Sequence, residues 1–120
     1  MYNTDIDLDA LAEKLPNPTG YRLLVALAKA SDKKGNIFVP EDLRDRESTA
    51  SIVGLVVAAG PDIYQDKKKF PSGSWCSVGD WIMFRSYSGT RIKIGAQEFR
   101  MINDDQVEAN LPDPEAVERI

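Results

Sequence analysis

The residues that most often carry enzyme chemistry are nearly absent from this sequence. The chain has no histidine and a single cysteine, Cys76. A zinc site of the Cys/His kind needs several such ligands, and Ser-His-Asp or Cys-His catalysis needs an imidazole base, so one copy of the chain can build neither. Carboxylate chemistry stays open in principle, but the acidic residues fall mostly in expected turns and tails, and no glycine-rich phosphate-binding motif is present. We therefore expect no catalytic residue, no metal and no cofactor, with Cys76 a small buried or half-buried side chain.

The charge balance narrows the range of partners. The 120 residues carry a net charge of -4 at pH 7, whereas nucleic acid and anionic membranes are bound by basic surfaces. The one basic run, Lys67-Lys68-Lys69, fits a solvated loop tip better than a phosphate clamp. Because no apolar stretch has the length of a membrane span and one cysteine fits a reducing compartment, the sequence favours a cytoplasmic protein and argues against nucleic acid or membrane as the partner.

One apolar cluster lies in an otherwise polar stretch. Residues 29–51 are dense in charge, and a polar connection of this length inside a compact domain is usually functional or disordered. Only Ile37-Phe38-Val39 interrupts it, with Gly35 before and Pro40 after. Large apolar groups in a loop too polar to pack are typical of a docking surface, although a buried strand or loop anchor is the plainer interpretation of the triplet alone.

The segments on either side have the pattern of short strands. Residues 21–28 place alternate side chains on one face, although their leucines and alanines also permit a helix. Residues 52–59 are apolar enough for a buried strand, in which Gly54 marks a bulge or a close approach. Further strand-like stretches begin at Trp81, Arg91, Glu98 and Gln106. Short strands separated by turn signals around a small core predict an all-β protein, built as a small irregular antiparallel β-barrel.

The two ends of the chain are expected to extend a domain that covers residues 19–111. Residues 1–18 are acidic, and leucine spacing predicts a short amphipathic helix within them, over 1–15, although a weakly ordered tail explains the pattern equally well. In residues 112–120, the sequence Asp113-Pro114-Glu115 fits a helix N-cap with proline at the first helical position, so one helical turn is expected there.

From Gly20 to Leu111, the order of these features resembles the GroES co-chaperonin family. Residues 35–41, Gly-Asn-Ile-Phe-Val-Pro-Glu, are similar to the mobile-loop motif of that family, and residues 54–60 resemble its glycine-x-valine-x-alanine-valine-glycine strand. Val78-Gly79-Asp80 matches the valine-glycine-aspartate turn of the family residue for residue, and residues 87–93 resemble its tyrosine-glycine hairpin. Each motif alone is weak, but their order and spacing over most of the chain make the resemblance specific.

The sequence also departs from the pattern of that family. Asn36 replaces a usual glycine, Phe38 is bulky for the middle loop position, and residues 41–51 are a few residues longer than is typical. Together with the two extensions, these departures indicate a divergent member. A virus-encoded protein that works in the host cytoplasm is one explanation for them.

The resemblance implies a lid without chemistry of its own. It implies that seven copies form a dome in which the first strand of one subunit pairs with the last strand of its neighbour, which leaves both as open edges in a single subunit. Loop hydrophobics would dock on a GroEL-type chaperonin that holds the ATP, and the dome would enclose client proteins. The chaperonin-binding residues would be Gly35, Ile37, Phe38, Val39 and Pro40. The subunit-interface residues would be Tyr21, Leu23, Val25, Val107 and Leu111. A roof hairpin at about 61–72 would carry Tyr64, Lys67, Lys68 and Lys69.

Two other classes of protein compete with the lid. An OB-like or SH3-like module would bind nucleic acid or peptide, and its stacking platform would be Trp75, Trp81, Phe84 and Tyr87; packing of these rings in a core or an interface fits the acidic chain better. A GroES-like piece of a zinc dehydrogenase would need a dinucleotide-binding half and zinc ligands, and the sequence contains neither.

Overall fold

The fold is built almost entirely from short strands. The computed structural model describes residues 2–3, 12–30 and 51–120. Within them lie strands β1 (Tyr2–Asn3), β2 (Arg22–Leu27), β3 (Lys29–Ala30), β4 (Val53–Ala59), β5 (Trp81–Phe84), β6 (Thr90–Ile94), β7 (Gln97–Asn103) and β8 (Val107–Asn110). Helical structure in this part of the chain is limited to three single 3-10 turns, Ala12–Lys14, Asp104–Gln106 and Pro114–Ala116. The expected all-β, antiparallel class is confirmed.

Six strands form one antiparallel sheet in the order β6-β7-β2-β4-β5-β8. Strand β2 lies inside this sheet, paired with β7 on one side and β4 on the other. The prediction of a strand over 21–28 is therefore confirmed, whereas the expectation that it forms an open edge is wrong. Over the described residues, β8 pairs only with β5, so the open edge expected near residues 106–111 is found.

The two faces of β2 contribute to two different clusters. Leu23, Val25 and Leu27 belong to the main core cluster, which also holds Ile82 and Phe84. Leu24 and Ala26 face the opposite way and pack in a second cluster with Phe99. A run of apolar residues without polar alternation is what a strand covered on both faces requires. The predicted alternation along the strand is thus confirmed, and the apolar residues between the alternate ones fill the second cluster.

Gly54 is a point of close approach between β4 and β2. A side-chain carbon added there would meet the Val25 side chain and lie 2.9 Å from the Ala26 carbonyl oxygen. Of the two interpretations open from the sequence, close approach is the correct one, because the register irregularity of this strand pair falls elsewhere, at Leu24 and Val25.

Residues 61–80 form a series of turns, and the hairpin expected at 61–72 is wrong because no strand lies there. The three lysines of this segment are exposed, but Tyr64 is buried. Its ring contacts Phe70 edge-on, with centroids 4.8 Å apart, and Phe70 contacts Trp75 in the same way at 4.9 Å. An aromatic cluster can therefore hold this segment against the core without a strand ladder.

The extensions differ from the expected helices. At the N-terminus, β1 pairs antiparallel with β3, which places Tyr2 opposite Ala30 and Asn3 opposite Lys29. The predicted helix is therefore wrong at residues 2–3, and residues 4–11 lie outside the described part of the chain. At the other end, the Asp113 carboxylate accepts a hydrogen bond from the Glu115 N–H at 3.1 Å, which confirms the predicted cap, but the helical turn ends at Ala116. No helix in the described residues has the length and apolar character to cross a membrane.

Candidate functional site

The two ends of the 31–50 connection are fixed side by side on the sheet. The Ala28 N–H donates to the Val53 carbonyl at 3.0 Å, where the chain leaves β2 and enters β4. The Phe84 N–H donates to the Ile52 carbonyl at 3.0 Å, so β5 holds the returning end as well. Any surface carried by residues 31–50 is therefore attached to the sheet at two neighbouring points.

An apolar cluster lies beneath these two attachment points, and we call it the root cluster. Ala28 and Val53 are its buried members. The partly buried side chains packed against them are Ile52, Trp81, Leu111 and Val117. Because Leu111 and Val117 come from the C-terminal end of the chain, that end covers the point from which the connection departs.

The predicted docking residues lie on this connection. Gly35, Ile37, Phe38, Val39 and Pro40 fall outside the described residues. The structure shows the anchorage of the segment that carries them, and their role remains a prediction.

The second candidate surface is a groove along the open edge of β8. Its volume is about 370 Å³, and its lining residues are Trp75, Val107, Glu108, Ala109 and Asn110. The Asn110 side-chain amide donates to the Trp75 carbonyl at 2.6 Å, which ties the wall of the groove to the strand. An unpaired strand edge beside a groove can accept a further strand through main-chain hydrogen bonds.

The residues predicted for a subunit interface do not form one surface. Leu23 and Val25 are completely buried within the single chain, and Val107 is buried in the same core cluster. Tyr21 is half exposed, and Leu111 belongs to the root cluster. The side chains of Leu23, Val25 and Val107 are thus committed to the core, because the apolar positions that suggested an interface also fill the inside of the sheet.

A buried arginine, which the sequence interpretation missed, holds the turn at residues 86–88. Arg100 lies on β7, and its guanidinium donates to the carbonyl of Ser86 at 2.5 Å and to that of Ser88 at 3.1 Å. Its Nε is buried without a hydrogen-bond partner, 4.0 Å from a Glu98 carboxylate oxygen. Burial lowers the pKa of Arg100 from its ordinary value. An arginine in a strand gives no signal of this role, since its acceptors are main-chain carbonyls on another element.

Cys76 lies in an environment that keeps the thiol protonated. Its sulfur is 3.5 Å from the Tyr64 hydroxyl, and both side chains are buried. Burial raises the pKa of the Cys76 thiol, and a protonated buried thiol is a poor nucleophile. The expectation of a buried cysteine is confirmed.

The four aromatic side chains considered as a stacking platform are not together. Trp75 contacts Phe70, Trp81 belongs to the root cluster, Phe84 is fully buried in the main core, and Tyr87 is exposed. A stacking surface needs several exposed rings in one groove. Within the described residues, no three histidine, cysteine, aspartate or glutamate side chains are placed to hold a metal ion.

Comparisons with known proteins agree on one family. The family model described as chaperonin 10 kDa subunit matches residues 16–111. A co-chaperonin GroES from Syntrophomonas wolfei is 32% identical over 97 residues, which cover 78% of this chain and 95% of that protein. The co-chaperonin GroES of Methylacidiphilum infernorum is 28% identical over 99 residues, covering 81% and 94%. That of Nitratidesulfovibrio vulgaris is 31% identical over 91 residues, covering 75% and 90%.

Proposed function

The chain belongs to the chaperonin 10 kDa subunit family, and we propose that it is a co-chaperonin, the lid of a GroEL-type chaperonin. The observation that carries the proposal is the extent of the match, residues 16–111. This range contains all six strands of the main sheet and both ends of the 31–50 connection. Relatives named co-chaperonin GroES match 78% and 81% of the chain, which supports the same proposal.

We propose that the lid binds through Gly35, Ile37, Phe38, Val39 and Pro40. Burial of each large apolar side chain is worth about 1.5–3 kcal/mol, whereas fixing each loop residue costs about 1–2 kcal/mol. These contributions nearly cancel, so one copy should bind weakly. A glycine before the triplet eases the approach of the backbone, and a proline after it favours an extended Val39, which suits a strand-like fit into a groove.

We propose that seven copies act together as a ring. Several weak sites on one body reach high overall affinity through effective concentration, yet each can be released when the partner changes shape. The open edge of β8 supports this assembly, because an isolated edge strand is normally covered. On the neighbouring subunit, the contact must come from backbone other than β2, since β2 is paired on both sides.

In this proposal the lid performs no reaction and binds no cofactor. The partner chaperonin binds the ATP, and client proteins are enclosed by the complex in the cytoplasm. The four aromatic side chains considered as a stacking platform share no exposed groove, which gives no support to a nucleic-acid or peptide module of the OB or SH3 kind.

The test is capping of a chaperonin ring. The protein is mixed with a GroEL-type chaperonin and a non-hydrolysed ATP analogue, and capped complexes are counted by electron microscopy. We expect capping with nucleotide and none without it, together with protection of Lys33, Lys34, Arg44 and Arg46 from trypsin in the complex. Absence of capping with every chaperonin tried, or equal cleavage with and without the partner, would contradict the proposal.

A further inference from the structure

The two terminal extensions reach the two ends of the same connection. The family match stops at residues 16 and 111, so the first and last segments of the chain lie outside it. Strand β1 pairs with Lys29–Ala30, immediately before residue 31. In the C-terminal extension, Arg119 contacts Ser51, immediately after residue 50, and Val117 packs in the same cluster as Ile52. Two segments from opposite ends of the sequence therefore meet the outgoing and returning ends of the segment that carries the apolar triplet.

The C-terminal extension follows a defined path to this position. The Leu111 N–H donates to the Trp81 carbonyl at 2.8 Å, which continues the β8 pairing for one more residue. The capped turn Pro114–Ala116 then redirects the chain. The Asp113 side chain caps this turn and satisfies an otherwise unpaired N–H, so the bend is stabilised by a specific hydrogen bond.

Two side chains beyond the bend make the contacts at the returning end. Val117 packs in the root cluster, to which Ile52 also belongs. The Arg119 guanidinium donates to the Ser51 hydroxyl at 3.3 Å. Val117 is half-buried, whereas its neighbours Glu118 and Ile120 are exposed. The tail therefore meets the returning end through both apolar packing and a polar contact.

We propose that the two extensions are clamps that hold the ends of the 31–50 connection in position for docking, and that Val117 and Arg119 are positioning residues for chaperonin binding. This inference rests on the proposed function. Anchored ends leave fewer conformations to be lost when a segment binds, so preorganisation raises affinity without a new contact to the partner.

The first experiment compares Val117→Asp with Ile120→Asp. Both variants add one negative charge to the same tail, but only Val117 packs in the root cluster, and Ile120 is fully exposed. One readout is amide hydrogen exchange in the free protein at Ala28 and Phe84, whose N–H groups bind the carbonyls of Val53 and Ile52. The other is the lid concentration that gives half-maximal capping of the chaperonin.

We expect Val117→Asp to speed exchange at both amides by about tenfold and to raise the half-maximal concentration about fivefold. Ile120→Asp should change neither value, and Val117→Ala should give smaller changes in the same direction. Faster exchange with unchanged or tighter capping would overturn the positioning role. Weaker capping without faster exchange would overturn it as well, because the loss of affinity would then not come from a change in the root cluster.

A second experiment removes residues 2–11 and leaves Met1. Loss of β1 should speed exchange at Lys29 and Ala30 and should add to the capping defect of Val117→Asp, because the clamps act on different ends. Unchanged exchange at both residues would overturn the N-terminal clamp. If the wild-type protein failed to cap any chaperonin, the proposed function would be wrong. Exchange in the free protein would still decide whether the extensions stabilise the two ends of the 31–50 connection.

Discussion

Tyr64 and Asp104 are joined by two hydrogen bonds across 40 residues of sequence. The Tyr64 N–H donates to the Asp104 carboxylate at 2.9 Å, and the Tyr64 hydroxyl donates to the Asp104 main-chain carbonyl at 2.7 Å. Both residues are buried, and Tyr64 adopts a left-handed backbone conformation with φ of 56°. The pair fastens the turn segment 61–80 to the start of the 3-10 turn between β7 and β8.

Each of these two hydrogen bonds should contribute to stability. We expect Tyr64→Phe to lower the free energy of unfolding by about 1–2 kcal/mol and Asp104→Ala by about 1–3 kcal/mol, because each leaves a buried polar group unpaired. Chemical denaturation at a fixed protein concentration measures both. The matched control is Asp105→Ala, since Asp105 pairs with the exposed Lys69 and exposed pairs contribute little. Equal losses for Asp104→Ala and Asp105→Ala would contradict the role of the buried pair.

The same tyrosine predicts a loss of stability in alkali. Burial, together with the hydrogen bond to Cys76, raises the pKa of the Tyr64 hydroxyl above its ordinary value. An unfolded tyrosine loses its proton near pH 10, at about its reference pKa, whereas the folded one keeps it. The contribution of Tyr64 is therefore complete below about pH 10 and is lost as the pH rises further, by up to about 1.4 kcal/mol per pH unit.

Unfolding curves between pH 8 and pH 11 test this prediction. Stability of the wild type should fall more steeply above pH 10 than that of Tyr64→Phe, and the two slopes should agree at pH 8 to 9. Tyr87→Phe removes an exposed hydroxyl and serves as the control, which should follow the wild type. Parallel curves for the wild type and Tyr64→Phe over the whole range would refute the prediction.

The open edge of β8 predicts a position where proline blocks assembly. The Leu111 N–H points to β5. Because successive N–H groups of an extended strand point to opposite sides, the Asn110 N–H points away from β5. Asn110→Pro removes this outward donor. An edge strand tolerates proline at such a position, because the lost N–H makes no hydrogen bond within its own sheet. We expect a folded subunit that no longer forms a ring in native mass spectrometry.

Asn110→Ala is the control for that variant. It loses the side-chain hydrogen bond to Trp75 but keeps the N–H, so the ring should persist. A ring formed by Asn110→Pro would show that β8 does not pair with a neighbouring subunit, and a monomeric wild type at high concentration would refute the ring itself.

The apolar triplet should matter for capping and not for folding. We expect Ile37→Asp and Val39→Asp to abolish capping, because a buried unpaired charge costs more than one weak site can supply, while the ring stays assembled. Val78→Asp places the same charge on an apolar residue that is exposed in the 78–80 turn and should cap normally. Phe38→Ala is expected to change affinity modestly or to shift the preference between chaperonins. Unfolding or dissociation of the ring by Ile37→Asp would place the triplet in the core instead.

Local pattern was sufficient to predict several elements of the fold. Neighbours a few residues apart determine the alternation in residues 21–28, the Val78-Gly79-Asp80 turn and the Asp113 cap. At Gly54 the pattern left a bulge or a close approach open, and the contact with β2 decided for close approach. In the turn, for example, the Ser77 N–H binds the Asp80 carboxylate at 2.8 Å, and Gly79 has a φ of 99°, which favours glycine. Motif order was also enough to predict the family.

The sequence by itself determined the all-β class, the strands of the main sheet and the family, because side-chain periodicity and turn chemistry are local properties of the chain. Only the tertiary structure decided which strand lies inside the sheet, that Tyr64 anchors a turn segment to Asp104, and that both extensions meet the ends of the 31–50 connection. Strand order and the partners of buried polar groups depend on which distant segments meet when the chain closes. The residue spacing within a single segment does not specify which distant segments these are.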